Sequence, residues 1–97
     1  MQRITDTMID RLADRLNYRF NAPATPYTKT PEGSRANIGN FHVSHQNGGV
    51  CMHRMENESG GVSCPVIGYH CTKRELYDAV HAFLRGVDFA DENRPAV

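Results

Sequence analysis

Two helical stripes of apolar residues bracket a central stretch with two-residue alternation. Ile4, Met8, Leu12, Leu16 and Phe20 recur at every fourth position, with Ile9 and Ala13 beside them. That spacing predicts an amphipathic helix over residues 4–20. Thr5 or Thr7 is placed to cap it, Asp6 and Asp10 suit the positive end of its dipole, and Asn17 and Asn21 mark its fraying end. The second stripe is Leu76, Val80, Phe83 and Leu84, opened by Thr72-Lys73-Arg74-Glu75. A threonine followed three residues later by a glutamate is a capping box, in which each side chain bonds the other residue's backbone N–H. Cys71 is placed to staple onto Leu76, and Gly86 is the expected stop, so the helix is predicted over 72–85.

Residues 22–36 carry Pro23, Pro26, Pro31 and Gly33 and read as a long loop. Tyr27 is its one large side chain, either a pin onto the core or a contact residue. Residues 37–67 read as a three-stranded meander with strands Ile38–His45, Val50–Glu56 and Val62–Ile67. Asn47-Gly48 is a strong signal for a two-residue hairpin turn. Pro65 cannot donate to a ladder, which makes the third strand an edge. A two-residue turn sets Gln46 opposite Gly49, Val43 opposite Met52 and His42 opposite His53. One face then carries Phe41, Val43, Val50 and Met52, joined by Val62, Cys64 and Val66 if the second turn spans 57–61. The other face carries His42, Ser44, Cys51, His53 and Met55. A slip of one residue in either hairpin reverses these assignments.

The predicted fold class is therefore α+β: an N-terminal helix, a long loop, a three-stranded antiparallel β-meander and a C-terminal helix, with both helices packed on one sheet face. At 97 residues the chain has room for a single domain, 1–97, with an ordered core of about 4–87 and a polar tail over 88–97.

Charge excludes some partners. Lys and Arg number 11 and so do Asp and Glu, which argues against a general nucleic-acid or polybasic membrane binder. The stripes Arg11, Arg15, Arg19 and Asp6, Asp10, Asp14 read as solvated helix faces. No apolar run approaches the ~18 residues of a membrane span. The first residues lack the apolar core of an export signal, so a cytoplasmic location is expected. Cys51, Cys64 and Cys71 are then expected to be reduced thiols rather than a disulfide scaffold.

The chemical lead is the density of histidine and cysteine between residues 42 and 71. Cys51 and His53 are two apart on a strand and point the same way, with His42 across from His53. Zinc takes such nitrogen and sulfur ligands, so His42, Cys51 and His53 form a candidate metal set, with His70 or Cys71 as further donors. The spacing matches no ordinary zinc-finger pattern, and absence of a cofactor is the primary expectation. A Cys51 nucleophile with His42 or His53 as base lacks an identifiable oxyanion hole, which favours a non-enzymatic protein. Neither glycine pair opens a phosphate loop, because no Gly-Lys-Ser/Thr follows. The outward sheet face lacks the stacking aromatics of RNA-binding sheets. It reads instead as a protein-docking surface formed by His42, Ser44, Cys51, His53 and Met55, with Tyr27 on the loop.

The order Gly39-Asn40-Phe41-His42, Gly48-Gly49-Val50, Arg54-Met55, Gly60-Gly61-Val62 and Arg74-Glu75-Leu76-Tyr77 resembles a group of small bacteriophage and prophage accessory proteins of unassigned function. The resemblance spans about residues 8–86 and rests on turn and cap residues. It implies an accessory protein made in a bacterial host cell. Such proteins often bind a host protein and block it, including host defence complexes, in the manner of an anti-CRISPR inhibitor. A bacterial host protein is thus the expected partner, with a homodimer through sheet edges as a further expectation.

Overall fold

The computed structural model describes residues 3–95. The elements are α1 (Asp6–Arg19), β1 (Tyr27–Thr30), β2 (Gly33–Ala36), β3 (Phe41–Gln46), β4 (Gly49–Met55), β5 (Val62–Ser63) and α2 (Lys73–Glu92). The class is α+β, as the two stripes and the alternation imply. β3, β4 and β5 form one antiparallel sheet, and β1 and β2 form a separate hairpin.

Both helices cover the face that carries Phe41, Val50 and Met52. Ile9, Leu12, Ala13 and Leu16 of α1 meet Leu76, Val80 and Leu84 of α2 over these strand residues, with Cys71 at the margin. Met8, Val43 and Phe83 pack around them, half-buried. Thr5 caps α1 by accepting the Met8 N–H at 3.2 Å.

Asn17 does not mark a fraying end. It is buried, donates from Nδ2 to the Phe41 carbonyl at 3.0 Å and accepts the Phe41 N–H on Oδ1 at 2.6 Å. The ladder explains why. The Gln46↔Gly49 pair closes a two-residue hairpin, so hydrogen-bonded and non-hydrogen-bonded pairs alternate from there. Phe41↔Arg54 falls on a non-bonded pair, leaving the Phe41 N–H and C=O pointing away from β4, where Asn17 takes both.

The capping box of α2 forms as expected. The Glu75 N–H donates to Thr72 Oγ1 at 3.1 Å, and the Thr72 N–H donates to Glu75 Oε1 at 3.0 Å. Gly86 does not stop this helix, which runs to Glu92 and is capped at Asn93. A lone exposed glycine costs a helix only ~1 kcal/mol. Beyond it, Arg19 reaches back from α1 to Asp88 at 3.0 Å and to Asp91. The expected tail 88–97 is therefore helical through Glu92, and its last two residues, 96–97, lie outside the described residues.

The expected loop 22–36 contains the β1–β2 hairpin, in register from Tyr27↔Ala36 to Thr30↔Gly33. Pro31 and Glu32 form its turn, where no ladder N–H is needed. Apart from Ala36 its side chains are exposed or half-buried, so no hydrophobic alternation marks it.

The β3–β4 register is the expected one, including Val43↔Met52 and His42↔His53. Asn47 and Gly48 take φ of 53° and 78°, the left-handed pair that a type I′ turn requires. The second hairpin differs by one residue. Its pairs are Met55↔Val62 and Arg54↔Ser63, where a 57–61 turn would have set Val62 opposite Glu56. The Glu56 N–H instead donates to the Gly61 carbonyl at 2.8 Å, and Asn57 Oδ1 accepts the N–H groups of Ser59 and Gly61. The third strand also ends at Ser63 rather than Ile67, two residues before Pro65.

Candidate metal centre

Side chains alternate along a strand, so Cys51, His53 and Met55 of β4 share the face turned away from the helices. The register sets Ser44 and His42 of β3 beside Cys51 and His53. The one-residue slip in the β4–β5 hairpin decides what joins them. It turns Val62 and the residues in phase with it to this same face. Cys64, expected on the core face, instead lies one step past the Arg54↔Ser63 pair, level with His53.

Segment 64–70 then leaves the ladder on the β5 side of β4, with Val66 and Ile67 packed against the helix-side core. The chain returns at Cys71, which exchanges two backbone hydrogen bonds with Val50 at 2.8 and 2.9 Å. The Cys51 thiol lies 3.4 Å from the Ile67 carbonyl, and Ser44 Oγ lies 3.0 Å from His70 Nε2. Cys51 and Met55 are buried and offer nothing to a partner, contrary to the expected open docking face. His42, Ser44 and His53 are half-buried. Tyr27 stands apart on the hairpin, half exposed, its hydroxyl close to Gly60. Cys71 faces the core, its thiol 3.5 Å from the Val50 carbonyl, and does not belong to this cluster.

Cys51 Sγ, a ring nitrogen of His53 and Cys64 Sγ lie within 4.8 Å of one another. The expected set named Cys51 and His53 but had His42 in place of Cys64. In tetrahedral zinc sites, bonds of about 2.3 Å to sulfur and 2.0–2.1 Å to nitrogen put ligand atoms roughly 3.5–3.8 Å apart. Closing the three groups onto an ion therefore asks for shifts on the order of 1 Å. Two thiolates with imidazole favour zinc over the hard cations.

The three histidines form an edge-to-face row. His42 and His53 have ring centroids 5.6 Å apart, and His53 and His70 are 5.8 Å apart. Burial lowers the pKa of His53, and His70 adds to the effect. Burial, then His53, lowers that of His42. Both shifts favour the neutral imidazole that a metal needs. His42 Nδ1 lies 3.2 Å from Asn40 Oδ1, whose amide is oriented by Nδ2 donating to the Pro23 carbonyl at 2.8 Å. His42 Nδ1 therefore carries the proton. Burial, with Cys64 next to it, pushes the Cys51 thiol up to about 12. A metal bound there must displace that proton, so affinity rises with pH.

A second surface feature lies beside Phe41 and Arg54, on the sheet face opposite Cys51 and His53. Phe20 stacks at 5.7 Å from Phe41 and 6.1 Å from Phe83, and with Pro23, Ile38 and Pro65 it lines an open apolar groove. Phe20 and Ile38 are substantially exposed there. Among the described residues no helix is long and apolar enough to cross a membrane. Comparison with protein-family models, curated proteins and solved structures finds no match.

Proposed function

We propose that this chain is a non-catalytic binding module whose sheet is organised by zinc at Cys51, His53 and Cys64. The convergence of these three donors within 4.8 Å carries the reading. Cys51 and His53 come from the central strand, and Cys64 opens the segment that runs beside it, so one ion would tie that segment to the sheet. Two thiolates cancel the charge of the ion, which suits a site where Cys51 is fully buried. A domain this small gains from such a clip, because metal binding free energy becomes folding free energy. The test is native mass spectrometry with elemental analysis on protein made without chelator or a metal-affinity step. One zinc per chain, lost in Cys64→Ser, supports the reading. Absence of stoichiometric metal even after zinc titration refutes it.

A second reading is supported by the apolar groove that Phe20 and Ile38 line. In it the chain is an accessory protein of the phage type, made in a bacterial cytoplasm, that engages a host protein and inhibits it. The sequence resemblance motivates the choice of partner, and the groove supplies the surface. Capture from bacterial lysate should recover a stoichiometric partner that Ile38→Asp loses. Recovery of none across a range of salt concentrations would count against it.

A further inference from the structure

We infer that His70 is the fourth ligand, binding through Nδ1 and closing the centre as a four-coordinate Cys2His2 site. The inference rests on the zinc reading of Cys51, His53 and Cys64, and it decides between a structural and an open, reactive metal.

Three observations carry it. The first is the hydrogen bond of the tip nitrogen: His70 Nε2 lies 3.0 Å from Ser44 Oγ. A metal-bound imidazole usually gives its other N–H to a polar partner, which fixes ring and tautomer. With Nε2 engaged on β3, Nδ1 is the nitrogen left for a metal and sits further back along the side chain, nearer its own backbone. The second is spacing. Two imidazoles on one tetrahedral zinc, each with its ring centre roughly 3.2 Å from the ion, have centroids about 5 Å apart. His53 and His70 are 5.8 Å apart. His70 stands outside the 4.8 Å group, so ligation requires its ring to close on the ion while Nε2 keeps the Ser44 bond.

The third observation is topology. Cys64 and His70 bracket the segment that runs beside β4, and the Cys71–Val50 bridge fixes the backbone next to His70. Gly49 makes room for this approach, since a Cβ there would come within 3.1 Å of His70 Cβ. His42 is the competing donor, at a similar 5.6 Å from His53. It lies on β3, however, whereas Cys64 lies on the β5 side of His53, so the two are separated by two strand spacings, about 9–10 Å. An ion held by Cys51, His53 and Cys64 is on the wrong side of His53 for His42.

A closed centre leaves no position for substrate, so the metal acts as a clip on both ends of segment 64–70. The test is cobalt(II) titration of the full chain, reading thiolate-to-cobalt charge transfer and the intensity of the visible ligand-field bands. Wild type should give the strong bands of tetrahedral cobalt. His70→Ala should bind at least about 10-fold more weakly with weakened bands, and Ser44→Ala should lose affinity within the 10–100-fold span of outer-shell changes. His70→Cys should restore tight binding and add the charge transfer of a third thiolate, which a merely structural role for His70 would not produce. His42→Ala should stay within about threefold of wild type. Tetrahedral bands and near-wild-type affinity in His70→Ala, or their loss in His42→Ala instead, overturn the assignment while leaving the three-donor site intact. Failure of wild type to bind cobalt or zinc removes both.

Discussion

Asn17→Ala probes how the first helix is joined to the sheet. The native amide makes two hydrogen bonds to the backbone of one residue, at 3.0 and 2.6 Å, where Phe41 turns its N–H and C=O away from β4. Alanine leaves both groups without that partner, in a residue 5% exposed. An unsatisfied buried backbone group costs about 1–3 kcal/mol, and two would cost about 2–6 kcal/mol if nothing relaxed. Alanine returns about 0.5 kcal/mol as the better helix former, and water reaching the edge of β3 relieves part of the rest. The expected net loss is about 2–3 kcal/mol, a large share of the roughly 5–15 kcal/mol that holds a small domain folded. Urea unfolding followed by far-ultraviolet circular dichroism measures it. At a slope of about 1–2 kcal/mol per molar the midpoint should fall by about 1–3 M. Asn17→Asp refines the test, because an ionised carboxylate accepts the Phe41 N–H but repels the Phe41 carbonyl. It should destabilise at neutral pH and recover in part once protonated. A midpoint for Asn17→Ala within about 0.5 kcal/mol of wild type would refute the reasoning.

Other predictions follow the same logic. Thr72→Ala removes one arm of the capping box and should cost about 1 kcal/mol in thermal or urea unfolding. Gly86→Ala should stabilise by about 0.5–1 kcal/mol, because the residue lies inside α2 and nothing within 4 Å meets a new Cβ; destabilisation would restore Gly86 as a helix stop. The bonds from the Thr72 backbone and side chain hold the Glu75 carboxyl below its ordinary 4.5. Its contribution is therefore present above the unfolded value and lost as pH falls through the lower folded value. Glu75→Gln should flatten the acid limb of the stability–pH curve, and an unchanged limb would exclude this contribution. Chelator added to zinc-loaded protein should lower the melting temperature, and the same chelator should leave Cys64→Ser unmoved.

The sequence was legible where local chemistry dictates geometry. Asn47-Gly48 tolerates the left-handed turn, so the β3–β4 register followed residue by residue. Thr72 and Glu75 are self-sufficient as a cap, so the start of α2 followed too. Its end did not, because one exposed glycine does not stop a helix, and the turn beyond it pairs Asp88 and Asp91 with Arg19, far away in sequence. The β1–β2 hairpin escaped notice since its stability is in backbone bonds rather than in buried side chains. Cys64 was missed for a subtler reason. The residues 57–61 allow more than one turn, and only the Asn57 side chain, by folding onto the Ser59 and Gly61 amides, selects the register that turns Cys64 toward Cys51. A single residue of slip separates a core cysteine from a neighbour of Cys51 and His53.

The β1–β2 hairpin divides the molecule into parts of unequal permanence. Thr28, Lys29, Ser34 and Arg35 are exposed; the Asn37 N–H closes the base of the arm onto the Pro26 carbonyl at 2.9 Å, and the Ala36 N–H ties it to the body at the Glu58 carbonyl at 3.1 Å. A two-stranded ribbon without its own core is marginal in water. Its amides should exchange with solvent by local opening while those of β4 wait for global unfolding. The Pro31-Glu32 tip is accordingly where a protease would nick first and where inserted sequence would be accepted, leaving the Cys51–His53–Cys64 face and the helical core untouched.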